Sequence, residues 1–210
     1  MPTENLESSL VIDDLEPQEV FERRFIFIDD DTLRKNISIA FEYVVFLIDA
    51  AGKDGVKGLI KSSLYKDALL YTGTIVEACL VYTVMKCLEK NKYKKSKLCN
   101  HIWKEESHGI IHVFSKRRRI RHVKEHLVTE EIKRTTNFVE INRACKRGGI
   151  LSKKEFDIAE EIREARNRIH VSGLKNIDNA YSKDDLDAFF AKTTIIIKKV
   201  EKKLAIFKQT

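Results

Sequence analysis

Apolar residues along most of this chain return every three or four positions, the signature of helices that each bury one face. Ile37, Phe41, Val44, Val45 and Ile48 keep that spacing over a first long segment. Asp30, Asp31 and Thr32 stand ahead of it as capping candidates, and it runs to about Ala51. The glycine-broken stretch GKDGVKG (residues 52–58) follows. It lacks the GxxxxGK[ST] pattern and no strand precedes it, so it reads as a turn rather than a phosphate loop. A second helix, about Leu59 to Lys90, is the longest, with Leu69, Val76, Leu80, Met85 and Leu88 among many apolar neighbours. So little polar surface predicts burial on more than one side. Further on, Phe138, Ile141 and Ala144 mark a helix from Thr135 to Arg147 that stops at Gly148-Gly149. Ser152 and Glu155 have capping-box spacing ahead of the segment EFDIAEEIREARNRIH, Glu155 to His170. A last helix begins at Ser182 or Asp184, with Leu186, Phe189, Phe190, Thr193, Ile196, Ile197 and Val200 turned inward.

Between residues 99 and 130 the pattern changes. Ile110 to Leu127 partly alternates around SKRRR, which predicts a small β-hairpin-like insert, with a helical start to its second half as the alternative. The fold class expected is therefore all-α: an antiparallel up-and-down helical bundle spanning residues 31–210 as one domain, with that insert. Residues 1–30 form an acidic lead-in, with a short helix around Pro17 to Arg24.

Composition sharpens the picture in three places. Two prolines and eight glycines in 210 residues favour helices. The four cysteines, Cys79, Cys87, Cys99 and Cys145, form no CxxC pair and read as buried thiols of a reducing compartment. Cytoplasmic location is expected, because the acidic start lacks the charged-then-apolar form of a signal peptide. Leu69 to Leu88 has the length of a membrane span, yet Glu77 at its centre would be costly in lipid, so a buried core helix is the better reading.

The net charge of +7 hides an asymmetry. Residues 1–31 carry ten acids against Arg23 and Arg24, a net of −8, which leaves +15 on the remainder. A basic body suits an anionic partner such as RNA, although many soluble proteins carry surface lysines without one. The densest run is Lys116, Arg117, Arg118, Arg119 and Arg121, with Lys124 nearby. It is a candidate substrate-binding ribbon for phosphates, or a solvated hairpin tip. Cys99, His101, His108 and His112 do not match the familiar zinc modules, and His122 and His126 lack an HExxH. No metal or other cofactor is expected. No helix-turn-helix with a polar recognition helix stands out for duplex DNA.

Candidate chemistry gathers on Glu155 to His170. At about 100° per residue, Ile158, Ile162, Ala165 and Ile169 share one stripe, and Arg163, Arg166, Asn167 and His170 share a neighbouring flank. Glu77, inside the apolar helix, needs a cationic partner from another helix or an outlet to solvent at a groove. Arg166 is free to pair with it, or with the neighbouring Glu161 and Glu164, and His170 to end the helix as a dipole-stabilised cap.

The segment REARNRIH (residues 163–170) resembles the HEPN superfamily, whose mark is an arginine followed by four to six residues and a histidine, often with a polar residue directly after an arginine. Arg163 and His170 are six residues apart, and Arg166-Asn167 supplies the arginine–polar pair. ALLYTGTIVEACL (residues 68–80) resembles the family's earlier helix, whose acidic residue faces the arginine and histidine, here Glu77. The sequence departs in one respect: Arg166 lies four positions before His170, where the commonest form has five. The resemblance implies a metal-independent endoribonuclease of the toxin or antiviral-defence kind. Its motifs would meet across a homodimer interface, and a cognate antitoxin or other protein would be a further partner. His170 would be the acid–base group and Arg163 or Arg166 the phosphate clamp; Asn167 would orient the ribose or the histidine, and Glu77 would hold an arginine. The alternative it leaves open is a non-catalytic module binding RNA, a nucleotide or a protein.

Overall fold

The computed structural model describes residues 18–89, 95–115, 118–130, 132–168 and 181–208. It is mostly helical. Helix α1 spans Gln18–Arg24, α2 Asp31–Gly52, α3 Gly58–Glu89, α4 Lys95–Leu98, α5 Phe138–Arg147, α6 Lys153–Arg168 and α7 Lys183–Lys208. Strands β1, Asn100–Ser115, and β2, Arg118–Glu130, pair antiparallel from Asn100↔Glu130 to Ser115↔Arg118, with irregularities in register along the way. Strand structure thus starts about ten residues ahead of the alternation visible at Ile110.

Helix α3 is the axis of the molecule and packs against α2, α5, α6 and α7. Ala68, Val76, Cys79, Leu80, Val84 and Cys87 along it are completely buried. Its two buried threonines stay satisfied inside the helix: Thr72 Oγ1 donates to Ala68 O and Thr83 Oγ1 to Cys79 O, each at 2.7 Å. Helix α3 is the one helix among the described residues that is long and apolar enough to cross a membrane, and 61% of its apolar window is buried inside the fold. That burial is what a core helix needs.

Side-chain contacts give the helix directions. Tyr71 meets Tyr43 while Tyr82 meets Asp29, so α3 runs against α2. Helix α7 runs against α6, through Lys199–Glu155 and Lys192–Glu161. Likewise α5 runs against α6, through Asn142–Glu160 and Lys146 over Phe156.

Local signals account for the helix ends. Asp30 caps α2 by accepting from Leu33 N at 3.0 Å. Gly55 and Gly58 take positive φ, 93° and 60°, in the turn between α2 and α3, a conformation glycine adopts without steric cost. Ser152 and Glu155 cap α6 reciprocally: Ser152 N donates to Glu155 Oε2 and Glu155 N to Ser152 Oγ. Ser182 and Asp185 do the same for α7.

Two boundaries differ from those the sequence predicts. The helical body begins before residue 31, because Phe21, Phe25, Phe27 and Ile28 are buried in the core. Phe21 and Phe25 both set their rings against Phe41 of α2, and Arg24 covers the same ring. In the sequence, the acidic residues around this stretch mask these four buried apolar side chains. Helix α5 begins at Phe138 rather than Thr135, since Thr136 Oγ1 accepts from Lys133 N and closes a turn ahead of the helix.

Candidate functional site

The capping box at Ser152 sets the start of α6, and Ala159 and Ile162, both fully buried, fix its rotation against the core. With that face inward, Arg163, Arg166 and Asn167 come out together on the wall of a groove of about 480 Å³. Helix α3 contributes Glu77 to the same groove, and the loop before α5 contributes Arg134 to Asn137. The three described members of the α6 cluster thus do share one cleft with Glu77. His170, Lys116 and Arg117 lie outside the described residues; Arg118, Arg119 and Arg121 fall on β2, which the structure describes as backbone.

Arg163 and Arg166 of α6 are each held by a carboxylate. Arg166 Nη2 lies 3.0 Å from Glu77 Oε2, with both side chains mostly buried. The α3 helix thus finds the cationic partner that its buried acid requires. Gly73, one turn earlier on α3, eases this close approach: a Cβ there would lie 3.2 Å from Arg166 Cβ, a tight contact. Burial pushes the Glu77 carboxyl above its usual range, and the Arg166 guanidinium only partly offsets this. Arg166 Nε is buried and makes no hydrogen bond among the described residues, so the guanidinium retains an inward donor without a partner.

Arg163 is tied within its own helix. Its Nε and Nη2 lie 3.0 and 2.9 Å from Glu160 Oε2, and Glu164 Oε1 is 3.6 Å from Nη2. The other oxygen of Glu160 accepts from Asn142 Nδ2 at 2.6 Å, which locks α5 to α6 behind the groove. Asn167 is exposed at the groove wall.

Arg134 is invisible as a site residue in the sequence. It sits in a polar loop, KRTTN (residues 133–137), and lines the cleft only through the fold. Its Nη2 bonds to Asp30 Oδ2 at 2.9 Å, so the cap of α2 also anchors the groove's third arginine. The only signal for it is a basic residue just ahead of a helix start. Phe138 and Val139, the first turn of α5, border the same groove, so the positive end of that helix dipole adds to the arginines.

A second groove, about 370 Å³, lies on the α2 side of Glu77. Its floor is apolar, built from Leu33, Ala78, Val81 and Met85, and its rim carries Asp29, Tyr82 and the Lys86–Glu89 pair. Tyr82 Oη accepts from Asp29 N at 2.9 Å. Glu77 and Arg134 line both grooves and form the wall between them.

Among the described residues no three histidine, cysteine, aspartate or glutamate side chains converge as a metal site. The four cysteines are buried and form no disulfide among the described residues, with Cys79 and Cys87 thiols pushed up to about 12 by burial. They are poor nucleophiles at neutral pH. Chemically, the basic groove presents three guanidiniums, each already holding a carboxylate, together with an amide and a helix N-terminus. Comparison of the chain with protein-family models, with curated proteins and with solved structures finds no match.

Proposed function

We propose that the protein is a metal-independent endoribonuclease of the HEPN kind, acting through Arg163 and His170 at a homodimer interface. The observation that carries the reading is the basic groove, in which Arg163, Arg166 and Asn167 of one helix face Glu77 of another. That is the constellation the resemblance requires around its histidine. In the reaction, His170 takes the proton of the ribose 2′-hydroxyl, whose oxygen bonds to the adjacent phosphorus. The bond from phosphorus to the 5′-oxygen breaks, and that oxygen leaves with the proton that His170 gives back. The products are a 2′,3′-cyclic phosphate and a 5′-hydroxyl. The arginines stabilise the charge that builds on the phosphoryl oxygens. The residues of the basic insert hold the flanking strand. A role in defence or as a toxin, with an antitoxin as partner, follows the same resemblance.

A second reading is favoured by one feature: Arg163 and Arg166 are already neutralised by carboxylates, as in a scaffold that binds without cutting. The experiment incubates single-stranded RNA with the protein in EDTA, beside His170→Ala and Arg163→Ala. The nuclease reading expects cleavage by the wild type and a loss of at least about 100-fold in each variant. Intact RNA throughout, with binding retained, would establish the binding module instead. A wild type that stays monomeric at micromolar concentration while cutting RNA rules out the composite cleft.

A further inference from the structure

We infer that the second groove is a nucleobase seat, so that the two grooves together hold one nucleotide of a ribonucleic acid chain. The inference rests on the reading of the basic groove as a phosphate site. It adds what lies beside the phosphate.

Three features of the molecule converge on it. The first is adjacency, since Glu77 and Arg134 form a wall common to both grooves. A ligand bridging that wall must be anionic at one end and flat or apolar at the other. The second is the floor, where Leu33, Ala78, Val81 and Met85 offer an apolar surface to a ring face, and a methionine thioether adapts well to aromatic rings. At about 370 Å³ the groove falls in the size range of small-molecule sites. The third is the rim. Lys86 Nζ and Glu89 Oε2, 3.1 Å apart, set a donor beside an acceptor, the pairing that the polar edge of a base presents in reverse.

Charge fixes the orientation. The base groove carries Asp29, Asp30, Glu77 and Glu89 against Lys86 and Arg134, and so repels a phosphate. The other groove is lined by Arg134, Arg163 and Arg166, each of which already holds a carboxylate, Asp30, Glu160 or Glu77, and keeps further N–H donors for a phosphate. A nucleotide therefore enters one way round, with its phosphate over α6 and its base over α3. Arg134, mostly exposed on the dividing wall and tethered to Asp30, is placed to touch the sugar–phosphate between them.

Titration calorimetry on the full chain tests this with uridine and guanosine 5′-monophosphates, ribose 5-phosphate and inorganic phosphate. Ribose 5-phosphate keeps sugar and phosphate but lacks the base. The expected result is that a nucleotide binds at least about tenfold more tightly than ribose 5-phosphate. Ala78→Leu, which fills the floor, should remove that advantage and leave ribose 5-phosphate binding unchanged, which also shows that the variant is folded. If the leucine is not accommodated, Met85→Ala shortens the floor instead and should reduce the advantage several-fold. Nucleotides that bind no better than ribose 5-phosphate, or an advantage untouched by both variants, overturn the base seat alone. Failure of every phosphate compound to bind, with RNA left uncut, overturns the phosphate reading beneath it.

Discussion

Glu77 shows how a single buried acid sets conditions for a whole site. Its carboxyl titrates above its ordinary value because burial outweighs the attraction of Arg166. The folded state therefore holds this proton more tightly than the unfolded chain does. The stability it contributes is full below the unfolded value, near 4.5, and is lost as pH rises through the raised folded one. Glu77→Gln mimics the protonated form at every pH. The melting temperature of the wild type minus that of Glu77→Gln should accordingly fall between pH 4 and pH 7; a difference that rises over that range would contradict the balance described. The thiols offer a second check on individual residues. Burial holds Cys79 and Cys87 near 12 and raises Cys145 further, so the native protein should resist alkylation at pH 8 and react fully once unfolded. The role of Glu77 is legible in the sequence, because a carboxylate amid apolar residues must find a cation. That of Arg134 is not, because its place depends on the fold of a loop over two helices.

Among the elements, the approach of α6 to α3 is set by Gly73. A Cβ there would lie 3.2, 3.5 and 3.7 Å from Arg166 Cβ, Cγ and Cδ. Gly73→Leu should cost about 1–3 kcal/mol of stability in denaturant unfolding, beyond what its better helix propensity returns. It should also displace Arg166 from Glu77 and weaken phosphate binding. Most of the helices are readable from period and caps: Asp30, Ser152 with Glu155, and Ser182 all act where sequence rules put them, while Asp185 is the partner that Ser182 finds in the structure. The displaced edges have physical causes. The start of α5 shifts because Thr136 serves a turn, and α1 reads as separate from the body because seven residues are too few to display a period.

Across the whole molecule, charge is divided between an acidic leading segment and a basic remainder. If RNA is the ligand, its affinity should fall steeply with salt. Replacing Arg118, Arg119 and Arg121 together with alanine should lower the slope of log K against log salt by about 2, roughly 0.7 for each phosphate of a single strand that is no longer neutralised. An unchanged slope would show that the insert does not touch the nucleic acid. Such a charge division is legible from composition, whereas the two grooves are not, because each is assembled from helices distant in sequence.

The aromatic docking of α1 has a dynamic consequence. A helix of seven residues lies well below the roughly 12–15 at which one persists alone in water. Phe21 and Phe25 against Phe41 hold it in shape, and when those rings part, its backbone hydrogen bonds have nothing left to keep them. Amide hydrogens of α1 therefore exchange with solvent through a local undocking that leaves α3 intact, and those of α3 wait for the entire fold to open. Helix α1 opens ahead of the α3 core.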